Sequence, residues 1–263
     1  MDNKVNISKR QDTVKALKPK VQQLQEGKIM QGSTKKFEYI EQKEDLFKFL
    51  ALQISQSQNL EEIFNTTVTE LGQLLKNERV IIYHFNFDVG GKVVAESVVE
   101  AQWSILGKTV LDRYFEENLI ADYQQGRIQT FGDLQTAGLS ACHTKFLANL
   151  QLKANLVVPI LLENNQLLET DKKQNDFSPD LWGLLIAQNC SSPRNWQSDE
   201  IELLKELSTY LSLAIRQDLF EKKLAAEQSE KRRLETELKA VKQKLDVKKV
   251  IIIPSQKYLK IAP

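Results

Sequence analysis

Apolar positions at helical spacing lie toward both ends of the chain, and runs typical of strands lie between them. Two apolar stripes, 46–54 and 63–75, each fit one face of an amphipathic helix, and Asn59 is placed to cap the second. A third stripe over 201–215 lies in a long segment without glycine or proline. Beyond it, Leu234, Leu238, Val241 and Leu245 follow the 4-3-4 spacing of a coiled coil. We therefore expect one long helix there, although Glu227 and Lys231 interrupt its apolar seam.

Four segments have the composition of β-strands. The first two, ERVIIYHFN and KVVAESVV, are rich in β-branched and aromatic residues and are separated by the turn residues DVGG. The other two, ANLVVPILL and LWGLLIAQNC, are almost continuously apolar, which indicates strands covered on both faces. A short helix is expected over 140–150, just before the third strand.

This order of elements predicts an α+β fold, with a central antiparallel sheet, helices packed on one face and a coiled-coil extension. The expected organisation is a polar, partly helical arm (1–44), a globular domain (45–217), a coiled-coil helix (218–249) and a C-terminal tail (250–263).

The scarcity of cysteine and histidine excludes several classes of protein. With only Cys142, Cys190, His84 and His143, the chain has neither a disulfide framework nor a multi-cysteine or histidine-built metal site. It has no secretory signal and no apolar run long enough for a membrane span, so we expect a cytoplasmic protein without membrane insertion. No nucleotide-binding or zinc-protease motif occurs, so no enzyme is expected.

Charge divides the chain into three parts. Residues 46–218 contain 14 Lys and Arg against 22 Asp and Glu, whereas both flanking segments are basic. An acidic middle argues against a nucleic-acid-binding core. The basic ends either contact a partner or simply keep the helices hydrated.

Several long strings resemble the bilin-binding GAF domains of cyanobacteriochromes, which are relatives of phytochromes. ERVIIYHFNFDVGGKVVAESV is similar to their opening strands, and WSILGKTVLDRYF to a segment that carries an Asp-Xaa-Cys-Phe motif. GLSACHTKFLANLQLKANLVVPIL resembles their chromophore-attachment region, and LWGLLIAQNCSSPRNWQSDEIELL their last strand and closing helix. The resemblance covers roughly 45–217 and implies a GAF domain.

The resemblance implies a linear tetrapyrrole of the phycocyanobilin type, joined to Cys142 through a thioether. A cysteine near a helix start lies where the helix dipole favours the negative charge of a thiolate nucleophile. Alone, however, such a cysteine is more often a small buried core residue. The resemblance gives His143 and Asp112 contacts to the pyrrole nitrogens or propionates, and Tyr123 and Arg127 are candidates to line the pocket. For Asp112, Tyr123 and Arg127, the alternatives of helix capping, core packing and a surface position stay open.

Two positions depart from the family pattern. Tyr114 stands where many members carry a second cysteine that shortens the conjugated system, so we expect red- and green-absorbing states. Gln188 replaces a histidine that contacts the isomerising end of the bilin in related photoreceptors. Because no output domain follows the coiled coil, we expect the protein to act through contacts.

Two other functions stay open at this stage. The chain could be an interaction or assembly subunit of the photosynthetic machinery with a vestigial pocket, or a GAF domain for a cyclic nucleotide or another small ligand. Whatever the function, we expect a protein partner at the terminal helices and tail, and a homodimer.

Overall fold

A computed structural model describes residues 38–56, 59–86, 90–110, 120–162 and 180–252. The N-terminal arm up to residue 37, the segment around Asp112 and the tail from residue 253 lie outside these ranges. The described helices are α1 (residues 38–55), α2 (Leu60–Leu75), α3 (Ile120–Gln124), α4 (Ala141–Asn149) and α5 (Ser198–Ile252), with a 3-10 turn at Ala101–Trp103.

Six antiparallel strands form one sheet in the order β3-β2-β1-β6-β5-β4. They are β1 (Arg79–Asn86), β2 (Gly90–Val98), β3 (Thr109–Val110), β4 (Gln129–Phe131), β5 (Ala154–Leu162) and β6 (Asp180–Asn189). The first two strand segments are the pair β1–β2, and the two apolar runs are the interior strands β5 and β6, buried along nearly their whole length. The predicted α+β class, with its antiparallel sheet, flanking helices and long C-terminal helix, is confirmed.

One face of the sheet packs against the long helices. Even-numbered residues of β1 and β5, together with Leu185 and Ala187 of β6, point to this face, because side chains alternate along a strand. They form one core with α1, α2 and α5. The predicted cap holds, since the backbone N–H of Glu61 donates to Oδ1 of Asn59 at 3.0 Å. Trp196 anchors the start of α5 by donating from Nε1 to the carbonyl of Phe131 at 3.2 Å.

The opposite face is covered by shorter elements, which corrects the expectation of helices on one face. Here α3 and α4 lie over the other set of strand residues, including Ile81, Val157 and Ile186. Short elements cover a broad sheet incompletely. As a result, this face contains a cleft, while the first face is a continuous core.

The last helix extends well beyond the sheet. Its residues from Leu203 to Ile215 include a buried stripe against the sheet, whereas the side chains from Leu224 to Leu245 are exposed. Among the helices that the structure describes, none combines the length and the apolar character that a membrane crossing requires.

Candidate functional site

The cleft between the sheet and α4 is the candidate site. It comprises about 710 Å³ of empty space when the solvent in its open mouth is included. Strands β1, β5 and β6 form the floor, α4 forms one wall, and Tyr123 and Gln129 lie at another side. Most of the lining is aliphatic or aromatic, with a few polar side chains among it.

Helix α4 turns one face into the cleft and carries Cys142 at the edge of that face. Ser140 caps the helix by accepting a hydrogen bond from the His143 backbone N–H at 3.3 Å. The lining residues of this helix and its C-terminal end are His143, Phe146, Leu147 and Leu150, the spacing of one helix face. Cys142 precedes Phe146 by four residues, so it lies one helical turn before it, beside the face that lines the cleft, and it is a free, exposed cysteine.

The floor of the cleft depends on a glycine. The ring of Tyr83 lies over Gly91 of the neighbouring strand, where a Cβ atom would be 1.9 Å from Cζ of the tyrosine. Tyr83 also packs edge-on against Phe85, with 5.0 Å between ring centroids. The ring can therefore occupy its place in the lining only because residue 91 has no side chain.

Tyr123 is a buried side chain at the side of the cleft. Its hydroxyl donates to Oε1 of Gln129 at 2.7 Å. Burial raises the pKa of this hydroxyl above its ordinary value, so Tyr123 is a neutral hydrogen-bonding group at physiological pH.

A polar row crosses three adjacent strands at one end of the floor. Arg79, Gln188 and Asn155 face one another in register on β1, β6 and β5. Arg79 Nε donates to Gln188 Oε1 at 2.7 Å, and Gln188 Nε2 donates to Asn155 Oδ1 at 3.2 Å. The guanidinium also donates to the carbonyls of Trp103 at 2.5 Å and Leu150 at 3.1 Å. Arg79 is only 1% exposed, and burial lowers its pKa from the ordinary value.

The structure brings together three of the residues predicted from sequence. His143, Tyr123 and Gln188 all line the cleft. Cys142 is not among the lining residues, and the alternative reading of this cysteine as a buried core residue does not fit its exposure. Arg127 does not line the cleft in this structure, because its side chain is half-exposed and paired with Asp122. Asp112 and Tyr114 lie outside the described residues.

Sequence reasoning missed Gln129, Asn155 and Arg79. A signal for Asn155 and Gln188 was present, since each is a polar residue within an apolar strand. Strand alternation would place them on a single face only once the pairing register was known. Cys190 and His84, in contrast, are packed residues: the cysteine is buried, and the histidine ring stacks on Trp182 at 4.2 Å between centroids.

A model of the GAF domain matches residues 59–215, more than half of the chain. The chain belongs to the GAF domain family. Over 71% of its length this GAF protein is 37% identical to a methyl-accepting chemotaxis protein from Synechocystis sp., but it spans only 17% of that relative.

Solved structures show which members of the GAF family this chain resembles. The GAF domain of PixJ from Thermosynechococcus elongatus, in its blue-light absorbing form, is 36% identical, with a TM-score of 0.54 over 67% of this chain and 95% of that one. The phycocyanobilin-bound GAF domain of a cyanobacterial phytochrome is 26% identical, with a TM-score of 0.57 over 68% and 96%. The resemblance to cyanobacteriochromes is confirmed, and GAF photosensor domains are generally non-enzymatic.

The donors of the cleft fit a flat, conjugated ligand with polar edges. Its walls are largely apolar, while His143, Tyr123, Gln188 and Asn155 provide hydrogen-bonding groups around the lining. A linear tetrapyrrole combines an apolar π-system with ring nitrogens, carbonyl oxygens and carboxylates, which match these two kinds of surface.

Gly91→Ala should displace the Tyr83 ring and thereby distort the floor of the cleft. We expect a loss of about 1–3 kcal/mol in the free energy of unfolding, the usual cost of overpacking, together with a change in the near-ultraviolet circular dichroism of tyrosine. Gly72→Ala is the matched control, because its Cβ would be 3.1 Å from Ser97 Oγ, a contact that a small shift can relieve. Equal effects of the two substitutions would contradict the assigned role of Gly91.

Proposed function

We propose that this GAF domain binds a linear tetrapyrrole of the phycocyanobilin type in the cleft, covalently through Cys142, and responds to light. The observation that supports this most is on α4, where His143 lines the cleft and the preceding residue, Cys142, is a free and exposed thiol. A ligand attached at the rim through an edge substituent could extend over the apolar floor. The ligand would supply visible absorption and a light-driven change of shape.

Attachment requires only a thiol and a vinylic side chain. The sulfur of Cys142 bonds to one carbon of the double bond, and the thiol proton ends on the neighbouring carbon. The addition consumes one double bond outside the rings and needs no oxidant or reductant. Cys142 must be reduced for this reaction, which supports a cytoplasmic location.

The other cleft residues orient the ligand and exclude water. The His143 imidazole can hydrogen-bond a pyrrole nitrogen or a propionate, and the apolar floor removes bulk solvent from the π-system. We further propose that Asp112 provides a negative charge for the pyrrole nitrogens. Because Tyr114 replaces a second cysteine, the conjugation stays complete, and we propose red- and green-absorbing states.

An intact cleft also weighs against the assembly-subunit alternative. A vestigial pocket would be expected to fill with apolar side chains, because buried polar groups are costly without a role. This cleft instead holds a buried, hydrogen-bonded arginine and two buried amides along one end.

Cys142→Ala should abolish covalent attachment. When the chain is co-expressed with enzymes that make phycocyanobilin, the wild type should retain its colour after denaturation in acidic urea, whereas the variant should lose it. Cys190→Ala is the control, since that thiol is buried in the core, and it should retain a covalently bound pigment. A coloured, denaturation-resistant Cys142→Ala protein, or a colourless wild type, would refute covalent binding at Cys142.

We also propose that the partner at the C-terminal helix is a second copy of this chain. Seven exposed apolar residues follow one heptad register along α5, and each exposes 43–55% of its surface: Leu213, Phe220, Leu224, Leu234, Leu238, Val241 and Leu245. Such a seam is typical of a two-stranded coiled coil. Glu227 and Lys231 occupy the inward positions between its two apolar halves, where polar residues restrict register and oligomer state.

The charged residues that flank the apolar seam of α5 favour a parallel pair of helices more than they oppose it. In a parallel register Arg216 would face Glu221 of the second copy, and Glu237 would face Lys242. Glu230 would meet Glu235 and oppose the pairing locally. The seam continues back to Leu213, next to the segment of α5 that packs on the sheet, so a change in the sheet could reach the dimer.

Leu238→Lys should convert the dimer to a monomer, because it places two like charges at one apolar layer. Ala240→Lys adds the same side chain on the outer face of the same helix turn and should leave the dimer intact. Sedimentation equilibrium measures the mass of each full-length protein. A monomeric wild type, or identical masses for the two variants, would contradict the proposed seam.

A further inference from the structure

A second groove lies on the helical side of the molecule, where the start of α1, the end of α2 and the start of α5 meet. It comprises about 1450 Å³ of empty space when the solvent in its open mouth is included. Leu46 and Leu74 are the aliphatic part of its lining. Each of the three helices also contributes acidic residues to the lining, which are Glu38, Glu70, Asp199 and Glu200.

Most of the negative charge in this acidic groove is not neutralised within the described part of the chain. Glu200 pairs with Arg194 at 2.5 Å. The other three carboxylates form no salt bridge with any residue that the structure describes. Lys76 is the single basic side chain among the described lining residues. The groove therefore favours a cationic occupant.

Tyr39 gives a second, independent indication that the groove has an occupant. Its side chain is part of the lining, and its hydroxyl oxygen is shielded from solvent without a hydrogen-bond partner among the described residues. Burial, together with the carboxylates of Asp199, Glu200 and Glu206, raises the pKa of Tyr39 to about 12. Because a buried hydroxyl without a partner is unfavourable, the groove suits an occupant that supplies a hydrogen-bonding group.

The chain contains a segment of complementary chemistry just before the groove. Residues 1–37 contain nine Lys and Arg against three Asp and Glu, and they lead directly into Glu38 of the lining. Within them, 15–24 has the sequence KALKPKVQQL, with three lysines, four aliphatic residues and no acid. The lysines suit the carboxylates of the groove, and the aliphatic residues suit its leucines.

The intervening chain is long enough for this contact. Residues 25–37 connect the segment to Glu38, and thirteen residues can span at most about 45 Å. Since the far end of this connection already lies in the groove, the segment can return to it. Attachment to the same chain also raises the local concentration of the segment at the groove.

We propose that residues 15–24 of this chain dock in the acidic groove between α1, α2 and α5. Their ammonium groups lie against the three unpaired carboxylates, and a polar group of the segment pairs with the Tyr39 hydroxyl. The proposal is independent of the tetrapyrrole function, because the groove and the cleft share no lining residue. Docking connects the N-terminal arm to the first turn of α5, the helix that carries the apolar seam.

Zero-length carbodiimide cross-linking of the full chain tests the contact, because it joins only a lysine and a carboxylate that touch. Peptide mass spectrometry should show links from residues 15–24 to Glu70 or Asp199. Their yield should fall at least about threefold between 50 mM and 0.5 M NaCl, since salt screens exposed charges. If these lysines do not link to the groove, or link as often to Glu62 at the other end of α2, the proposal is wrong.

Glu70→Lys should lower the yield of links between the arm and Asp199 at least about fivefold, because it places a positive charge in the groove. Glu62→Lys is the matched control, since it makes the same change at an exposed acid of the same helix and should leave the links unchanged. Adding Lys18→Glu to Glu70→Lys exchanges the two charges and should restore links from the remaining lysines. Equal effects of the two single substitutions, or no recovery in the double variant, would contradict docking through charge.

Isotope mixing identifies the chain whose arm occupies the groove. Unlabelled and 15N-labelled full-length proteins are combined and allowed to exchange subunits before cross-linking. Links between peptides of the same isotope support docking within one chain. Links that join a labelled peptide to an unlabelled one would assign the arm to a second copy and overturn docking within one chain.

Discussion

The central sheet must be buried on both faces, and the unequal covering of those faces determines the rest of the structure. Strands β5 and β6 are apolar on both sides, so neither side is stable in water. Three long helices close one face as a continuous core. The other face receives only short elements, and the space that they leave is the cleft. The incompletely covered face thus provides an apolar site, although its strands have the same apolar residues that a fully covered face would have.

The polar end of the cleft is the part of the fold where burial is unfavourable in free energy. Placing a guanidinium at 1% exposure carries a desolvation penalty, which its hydrogen bonds to neutral oxygens reduce. A fold that needed only stability would gain from apolar residues at these positions. The row nevertheless keeps hydrogen-bonded polar groups at one end of an otherwise largely apolar cleft.

The sequence predicted the elements that are determined by residues close together in the chain. Asn59 caps α2, the β1–β2 hairpin forms, and Ser140 begins the helix that carries Cys142 and His143. It could not predict contacts that depend on register across strands. Arg79, Gln188 and Asn155 are far apart in the chain and meet only because β1, β6 and β5 pair as they do. Arg127 is a different case. Its guanidinium would suit a carboxylate of a ligand, but it pairs instead with the carboxylate of nearby Asp122 on the surface.

The most direct test of the account is the visible absorption spectrum of the full chain purified from cells that contain linear tetrapyrroles, recorded before and after illumination. A tetrapyrrole attached to Cys142 and held in the apolar cleft should give an intense band in the red or green range that shifts on illumination and returns in the dark or under the second colour. A protein that absorbs only in the ultraviolet, although folded and produced in the presence of these pigments, would contradict the central claim.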